Sequence, residues 1–99
     1  MDNSQKKTKE IRFTVASLRL DSVTGAGFGV SRNKISNLIK GDNVVLNQQV
    51  VNNTSKHVKQ GDEIVVLGRG KIIVEKIGGI TKKGRVSVII KKLLNEVLL

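Results

Sequence analysis

Two cations stand at the start of the segment "SRNKISNLIKG", which runs from Ser31 to Gly41. Ser31 is a suitable helix N-cap, because its hydroxyl oxygen can accept a hydrogen bond from a free amide of the first turn. The helix dipole favours acids at that end, yet Arg32 and Lys34 follow. Free amides and long cations together favour binding of an anion such as phosphate. The alternative is that both side chains only extend away from the edge of the core.

A second basic group lies in the C-terminal half of the chain, close to glycines. Its members are Arg69, Lys71, Lys82, Lys83 and Arg85. The segment "TKKGR" carries three of them and is typical of a tight turn. Charged turn residues also occur for solubility alone, so this group indicates a binding surface only if the turn lies on the same side as Arg32 and Lys34.

Other kinds of chemistry find little support. The segment "GAGFGV" has the spacing G-x-G-x-G, which departs from a dinucleotide fingerprint, and "GITKKGRV" lacks the Lys and Ser/Thr of a P-loop. No nucleophile stands beside a base, and no residues have metal-ligand spacing. The chain has no Cys, and its lone His57 lies in a polar segment typical of solvated histidines. We therefore expect no catalytic residue, metal or cofactor, and a protein that is not an enzyme.

The overall charge favours a polyanionic partner. The chain has 18 Lys and Arg against 8 Asp and Glu, for a net charge of +10. Such an excess destabilises the compact state unless a polyanion offsets it. The aromatic residues are Phe13 and Phe28 alone, too few for the stacking platform of a single-strand reader. These features favour a structured RNA recognised through phosphates and shape. A membrane surface is less favoured, because no long basic amphipathic helix is present.

Apolar periodicity predicts the elements that position these residues. Alternation predicts a strand over residues 10–16, and Ser17 is expected to cap a helix over 18–26 that "GAGFG" ends. The spacing of Ile35, Leu38 and Ile39 predicts a second helix, over 32–40. Strands with a period of two follow, in the segments "NVVLN", "VV", "IVVLG", "KIIVEKI" and "RVSVIIK". The final "KLLNEVLL" is expected to form a helical turn or two.

This order of elements predicts an α+β fold, with two short helices packed beside a small, mainly antiparallel sheet. Residues 1–9 are expected to form a flexible tail and residues 10–99 a single domain, which could be a whole small protein or one domain of a longer protein. No apolar run reaches the length of a membrane-spanning helix and no signal peptide is visible, so a cytoplasmic protein is expected.

Several segments together resemble a known family. They are "SLRLD" at the first helix, "GVSRNKISNLIKGDNVVLN" at the second, and "VKQGDEIVV" at a later turn and strand. This combination resembles the alpha-L RNA-binding domain, named after ribosomal protein S-four. The flanking "EIRFTVASLRLDSVTGAGFGVSR" and "LGRGKIIVEKIGGITKKGR" are similar to the C-terminal domain of YlmH-type proteins. The resemblance implies binding to structured rRNA or tRNA and a role at the ribosome, in large-subunit quality control linked to cell division. It also implies a protein of the bacterial cytoplasm with further domains, from which this chain would be an excised domain.

The resemblance also implies contact residues, position by position. They are Arg19, Ser31, Arg32, Lys34, Asn37, Lys40 and Asn47, followed by Arg69 and Lys71 in the glycine-rich turn. Together with Lys82, Lys83 and Arg85 of the "TKKGR" segment, which we call the basic turn, these residues are the predicted RNA-binding site. The expected partners are the ribosome and the other domains of the parent protein, and the domain is expected to be a monomer.

Two other functions remain open from the sequence. The domain is also of a kind appended to pseudouridine synthases and tRNA synthetases. A different class is a protein-interaction domain that docks an acidic partner through its basic face or through the apolar "KLLNEVLL". For RNA binding, the expected result of replacing Arg32 and Lys34 with Ala is weaker binding. The thermal midpoint is expected to stay unchanged or rise slightly, because both cations oppose the helix dipole.

Overall fold

The polar–apolar alternation near the N-terminus forms a strand, as the sequence predicts. The computed structural model describes residues 8–93. The elements are β1 (Thr8–Val15), α1 (Leu20–Phe28), α2 (Arg32–Lys40), β2 (Val44–Leu46), β3 (Gln49–Val50), β4 (Glu63–Val66), β5 (Gly70–Ile80) and β6 (Val86–Leu93). Two short helices thus lie beside a six-stranded antiparallel sheet, which confirms the predicted α+β class.

The strands follow the spatial order β1-β6-β5-β4-β2-β3, and every neighbouring pair is antiparallel. Alternate residues point to opposite faces of the sheet, so one face packs beneath the helices. The buried apolar residues are Val15, Leu20, Val23, Ile35, Ile39, Val44, Leu46, Val58, Ile64, Val66, Ile72, Val74, Val88 and Ile90. By the same alternation, Lys71 and Lys91 lie on the opposite face, which neither α1 nor α2 covers. A register shift after Val74 pairs Lys76 with Ile89 and turns Lys76 to that face as well.

Helix α1 lies unusually close to the sheet because of one glycine. A Cβ atom added to Gly27 would lie 2.9 Å from the Cδ1 atoms of both Ile72 and Ile90. The sequence predicts that "GAGFG" ends this helix at Ala26, and that prediction is wrong. The first two glycines of this segment lie within α1, which ends at Phe28 and is capped by Gly29, in the left-handed region with φ 67°.

The start of α1 also differs from the prediction, because Ser17 does not cap it. The helix begins at Leu20, and the residue before it caps without a side-chain hydrogen bond. The backbone N–H groups of Leu20 and Asp21 donate to the carbonyl oxygens of Lys56 (2.8 Å) and Thr54 (3.1 Å). Since a distant loop satisfies these amides, no local capping hydroxyl is needed.

Several strand boundaries differ from those predicted, and three of the differences lengthen a strand. Strand β1 begins at Thr8, two residues early, and β5 continues to Ile80, through glycines predicted to be a connection. Strand β6 extends to Leu93, so the first residues of "KLLNEVLL" are strand rather than helix. Cross-strand partners favour extension of these strands beyond their own alternating residues. Residues 94–99 of that segment, and 1–7 of the predicted tail, lie outside the described residues.

Candidate nucleic-acid interface

Helix α2 begins at Arg32 with Ser31 as its N-cap, as the sequence predicts. The Ser31 Oγ accepts a hydrogen bond from the backbone N–H of Lys34 at 3.3 Å. One of the free amides at this helix end is thereby satisfied within the protein. Ile35 and Ile39 are buried and anchor the inner face of the helix to the core.

The outer face of α2 is polar and basic. Lys34, Asn37 and Lys40 are all exposed. The two lysines are separated by about 9 Å along the helix axis, from a rise of ~1.5 Å per residue. Neither forms an ion pair with any residue between 8 and 93. Their ammonium groups are available to a polyanion, and no ion pair within that range has to be broken first.

The cation at the start of α2 has an acidic partner on the neighbouring helix. Arg32 Nε lies 3.3 Å from Asp21 Oδ2, and Arg19 donates to the same carboxylate from Nε and Nη2, each at 3.0 Å. Asp21 is 2% exposed, whereas the side chains of Arg19 and Arg32 are 38% and 61% exposed. One carboxylate just beneath the surface therefore orients two surface guanidinium groups, as a bidentate and a single contact.

This arrangement lowers the pKa of Asp21. Burial has the largest single effect and by itself would raise the pKa, because it disfavours the charged form. The hydrogen bonds from Arg19 and Arg32, together with their positive charges, outweigh it. The hydrogen bond to Asp21 and the attraction of its charge in turn raise the pKa of Arg19. Asp21 and Arg19 are therefore charged at neutral pH.

A groove beside α1 brings Arg32 together with Arg85 of the basic turn. Its volume is about 420 Å³, and it lies between the end of β1, the outer side of α1 and the turn before α2. Arg85 donates from Nε to Thr14 Oγ1 at 2.9 Å and from Nη2 to the Thr14 carbonyl oxygen at 2.8 Å. The turn between β5 and β6 thus reaches the side of the molecule on which α2 begins, which the sequence left open.

The tip of the same turn carries Lys82 and Lys83, both exposed. Thr81 closes the turn, since its Oγ1 accepts from the backbone N–H of Arg85 at 3.2 Å and its carbonyl oxygen accepts from Gly84 at 2.9 Å. Gly84 has φ 79°, a conformation that favours glycine. The turn is a closed loop that presents its lysines to solvent.

Three other predicted site residues lie elsewhere. Lys71 points to the sheet face that the helices leave uncovered and forms an ion pair with Glu63. Arg69 is exposed in the tight turn between β4 and β5. Asn47 is exposed too, but its amide is engaged within the protein. Its Nδ2 donates to Asp62 Oδ1, and its Oδ1 accepts from the backbone N–H of Glu63, both at 2.9 Å.

These contacts predict a structural role for Asn47, which has φ 50°. Asn47→Ala is expected to lower the free energy of unfolding by about 1–2 kcal/mol, because it leaves two polar groups unpaired and places a Cβ-only residue in a left-handed conformation. RNA affinity measured well below the melting temperature should not change. Asn37→Ala, at an exposed amide on α2, is the matched control. It should lower RNA affinity and leave the free energy of unfolding unchanged. Equal losses of affinity in both variants would contradict the structural role.

Sequence reasoning missed the anchoring role of Asp21. Its carboxylate is absent from the predicted site, although the helix dipole of α1 also favours an acid there. Two features of the sequence could have indicated this role. Asp21 lies only two residues from Arg19, and Arg32 stands at a helix start that has no acid in its first turn. The contact between Asp21 and Arg32 spans eleven residues and depends on how the turn between the helices reverses the chain. No local spacing encodes that reversal.

Within residues 8–93, no group of three or more His, Asp or Glu side chains is placed to hold a metal ion. The helices in that range are too short and too polar to cross a membrane.

Comparison with known proteins gives a family. The family model "Mitochondrial transcription rescue factor 1, C-terminal domain" matches residues 9–97. Ribosome-associated protein quality control protein P2 of Bacillus subtilis (strain 168) is 40% identical over 72 residues, which make up 73% of this chain and 28% of that protein. The chain therefore spans less than a third of the length of that relative. With a family match over nearly all of its residues, this chain belongs to the family of the C-terminal domain of mitochondrial transcription rescue factor 1.

Proposed function

We propose that this domain binds structured RNA through its phosphates and shape, and that it is a binding module rather than an enzyme. The observation that carries the proposal is the α2 basic surface, which we define as Arg19, Arg32, Lys34, Lys40 and Arg85. Three of these cations are held in place by the protein itself, through Asp21 or Thr14. Guanidinium groups oriented in advance lose less conformational freedom when they bind phosphate.

The aromatic residues favour structured RNA over single strands. Single-strand binders stack successive bases on exposed aromatic rings. Phe13 and Phe28 are both half-buried against the core, and Lys92 Nζ stands 5.0 Å from the centre of the Phe28 ring. Two half-buried rings offer little stacking surface, which favours phosphate contacts and the shape of a folded RNA as the means of recognition.

We further infer an alpha-L domain of the S-four type, closest to YlmH proteins, that acts at the ribosome. The intact segment "GVSRNKISNLIKGDNVVLN" supports the domain type. The name of the Bacillus relative, a ribosome-associated quality control protein, supports rRNA or tRNA as the ligand and the bacterial cytoplasm as the location. In this proposal, the domain is monomeric and other domains of a longer parent protein contribute further contacts.

The double variant Lys34→Ala/Lys40→Ala tests the proposal. Its affinity for a folded tRNA or rRNA hairpin is expected to fall roughly tenfold or more at low salt. The slope of log affinity against log salt should become shallower by about 1.4–1.8, from ~0.7–0.9 per phosphate contact. The thermal midpoint should change little, because neither lysine is paired with an acid between residues 8 and 93. The helix dipole disfavours Lys34 in the first turn and favours Lys40 in the last, so these two effects oppose each other. Fluorescence anisotropy across a salt series measures affinity and slope together.

The matched control is Lys76→Ala/Lys91→Ala, which removes the same net charge from the opposite face of the sheet. This control is expected to change the affinity and the slope much less. An equal loss in both variants would mean that net charge alone attracts RNA and would contradict a specific α2 surface. A parent domain that binds neither tRNA nor an rRNA hairpin at physiological salt would overturn the function and favour an acidic protein partner.

A further inference from the structure

We propose that the groove between Arg32 and Arg85 receives one unpaired nucleotide of the bound RNA. The inference rests on the proposed function and adds which part of an RNA enters the protein. Its basis is the convergence of two arginines, held by different elements, on one groove of about 420 Å³. That volume lies within the range of clefts that hold small ligands, about 300–1,000 Å³.

The two arginines are oriented before any ligand binds. Arg32 contacts Asp21 through Nε, and Arg85 contacts Thr14 through Nε and Nη2. Each guanidinium group retains N–H groups that bind no residue in the described part of the chain. A guanidinium group can donate two parallel hydrogen bonds to phosphate, and its plane can stack on a base. Asp21 does not leave a free negative charge in the groove, because Arg19 and Arg32 both contact it.

The wall formed by α1 suits a flat ring. Ala26 is exposed and presents only a methyl group, so a planar group can approach the helix closely there, while half-buried Val30 supplies apolar surface. A Cβ added at Gly29 would meet no atom within 4 Å, so the groove is open beside the turn that leads to α2. The groove therefore combines an open mouth, a lining that is partly apolar and two cationic donors.

An unpaired nucleotide fits this groove better than a paired one. In a continuous duplex the bases stay stacked, so only phosphates can reach the arginines at the rim and the recess stays unfilled. A bulged or looped nucleotide can swing out of the stack and place its base in a pocket. Arginine planes can stack on such bases in place of aromatic rings, which suits a chain whose two phenylalanines are half-buried.

The test compares RNA hairpins of one sequence, either fully paired or with one unpaired A, C, G or U in the stem. The parent domain is expected to bind at least one bulged hairpin roughly five- to tenfold more tightly than the paired hairpin, as expected for one stacked base. Ala26→Leu fills the groove without changing the charge. It should abolish this preference and leave affinity for the paired hairpin unchanged. Ala26→Ser, which keeps the groove open, should retain the preference.

Arg85→Lys provides a second variant, because it keeps the charge and removes the guanidinium plane. Affinity for the bulged hairpin should fall at least threefold more than affinity for the paired hairpin, which loses only the bidentate phosphate contact of Arg85. Equal binding of all hairpins by the parent, or a preference that survives Ala26→Leu, would overturn the groove proposal while the proposed function stands. If the parent binds no hairpin of the set and no tRNA, the proposed function fails as well.

Discussion

Asp21→Asn is expected to lower the free energy of unfolding at pH 7 by about 1–2 kcal/mol. The change removes a carboxylate that binds Arg19 at 3.0 Å and Arg32 at 3.3 Å. Several charge-assisted hydrogen bonds are lost, but the outer parts of both arginines are in water, so solvent screening keeps the loss small. Denaturant unfolding at pH 7 measures it. Asp42→Asn, at an exposed carboxylate, is the control and should change stability much less.

The effect of Asp21→Asn should disappear in acid. The pKa of Asp21 is lowered in the folded protein, so its contribution is fully present above the unfolded pKa of about 3.9. That contribution is lost as the pH falls from there through the lower folded pKa. The parent should therefore lose more stability than Asp21→Asn between pH 4 and the lower folded pKa of Asp21. A difference in stability that is equally large at pH 7 and at pH 2 would contradict an ionised, arginine-bound Asp21.

The Asp21 contact changes one expectation drawn from the sequence. Arg32→Ala/Lys34→Ala was expected to leave the thermal midpoint unchanged or slightly raised, because both cations oppose the helix dipole. Since Arg32 contacts a buried carboxylate, its loss removes a partner of that charge. We now expect a lowered midpoint for Arg32→Ala, whereas Lys34→Ala alone should leave it unchanged or slightly raised. Thermal melts of the two single variants distinguish these results.

Gly27→Leu is expected to lower the free energy of unfolding and the thermal midpoint. A Cβ at this position already approaches Ile72 and Ile90 to 2.9 Å, and both isoleucines are fully buried. A leucine must therefore push α1 away from the sheet, and such overpacking costs about 1–3 kcal/mol or more. The better helix propensity of leucine recovers at most about 1 kcal/mol. For a domain of this size, each net kcal/mol lowers the thermal midpoint by about 4–8 °C.

Two neighbouring variants show whether close packing is the cause. Gly27→Ala adds only the Cβ, and the atoms that it meets are the ends of side chains that can rotate. It should therefore change stability by less than about 1 kcal/mol. Ala26→Leu adds similar bulk to the same helix at an exposed position and should be nearly neutral. A stable Gly27→Leu protein with an unchanged melting temperature would show that α1 does not need this close approach.

Helix α2 is the element that the sequence predicts best. Its N-cap Ser31, its buried Ile35 and Ile39, and its end at Gly41 all depend on residues within one or two turns of each other. The same local rules fail at α1. Its first amides bind the carbonyl oxygens of a loop more than thirty residues away, so the signal of a capping hydroxyl at Ser17 is misleading.

The sequence by itself determined the fold class, the basic character of the chain and the exposed outer face of α2. Periodicity, capping and net charge are properties of nearby residues or of composition, so the sequence alone is enough to predict them. Only the tertiary structure decided which cations act together. The bond between Arg85 and Thr14 joins residues 71 positions apart, and Lys71 faces away from α2 because strand alternation turns it to the uncovered side of the sheet. These placements follow from the path of the chain and the register of the sheet, which depend on the packing of all elements at once.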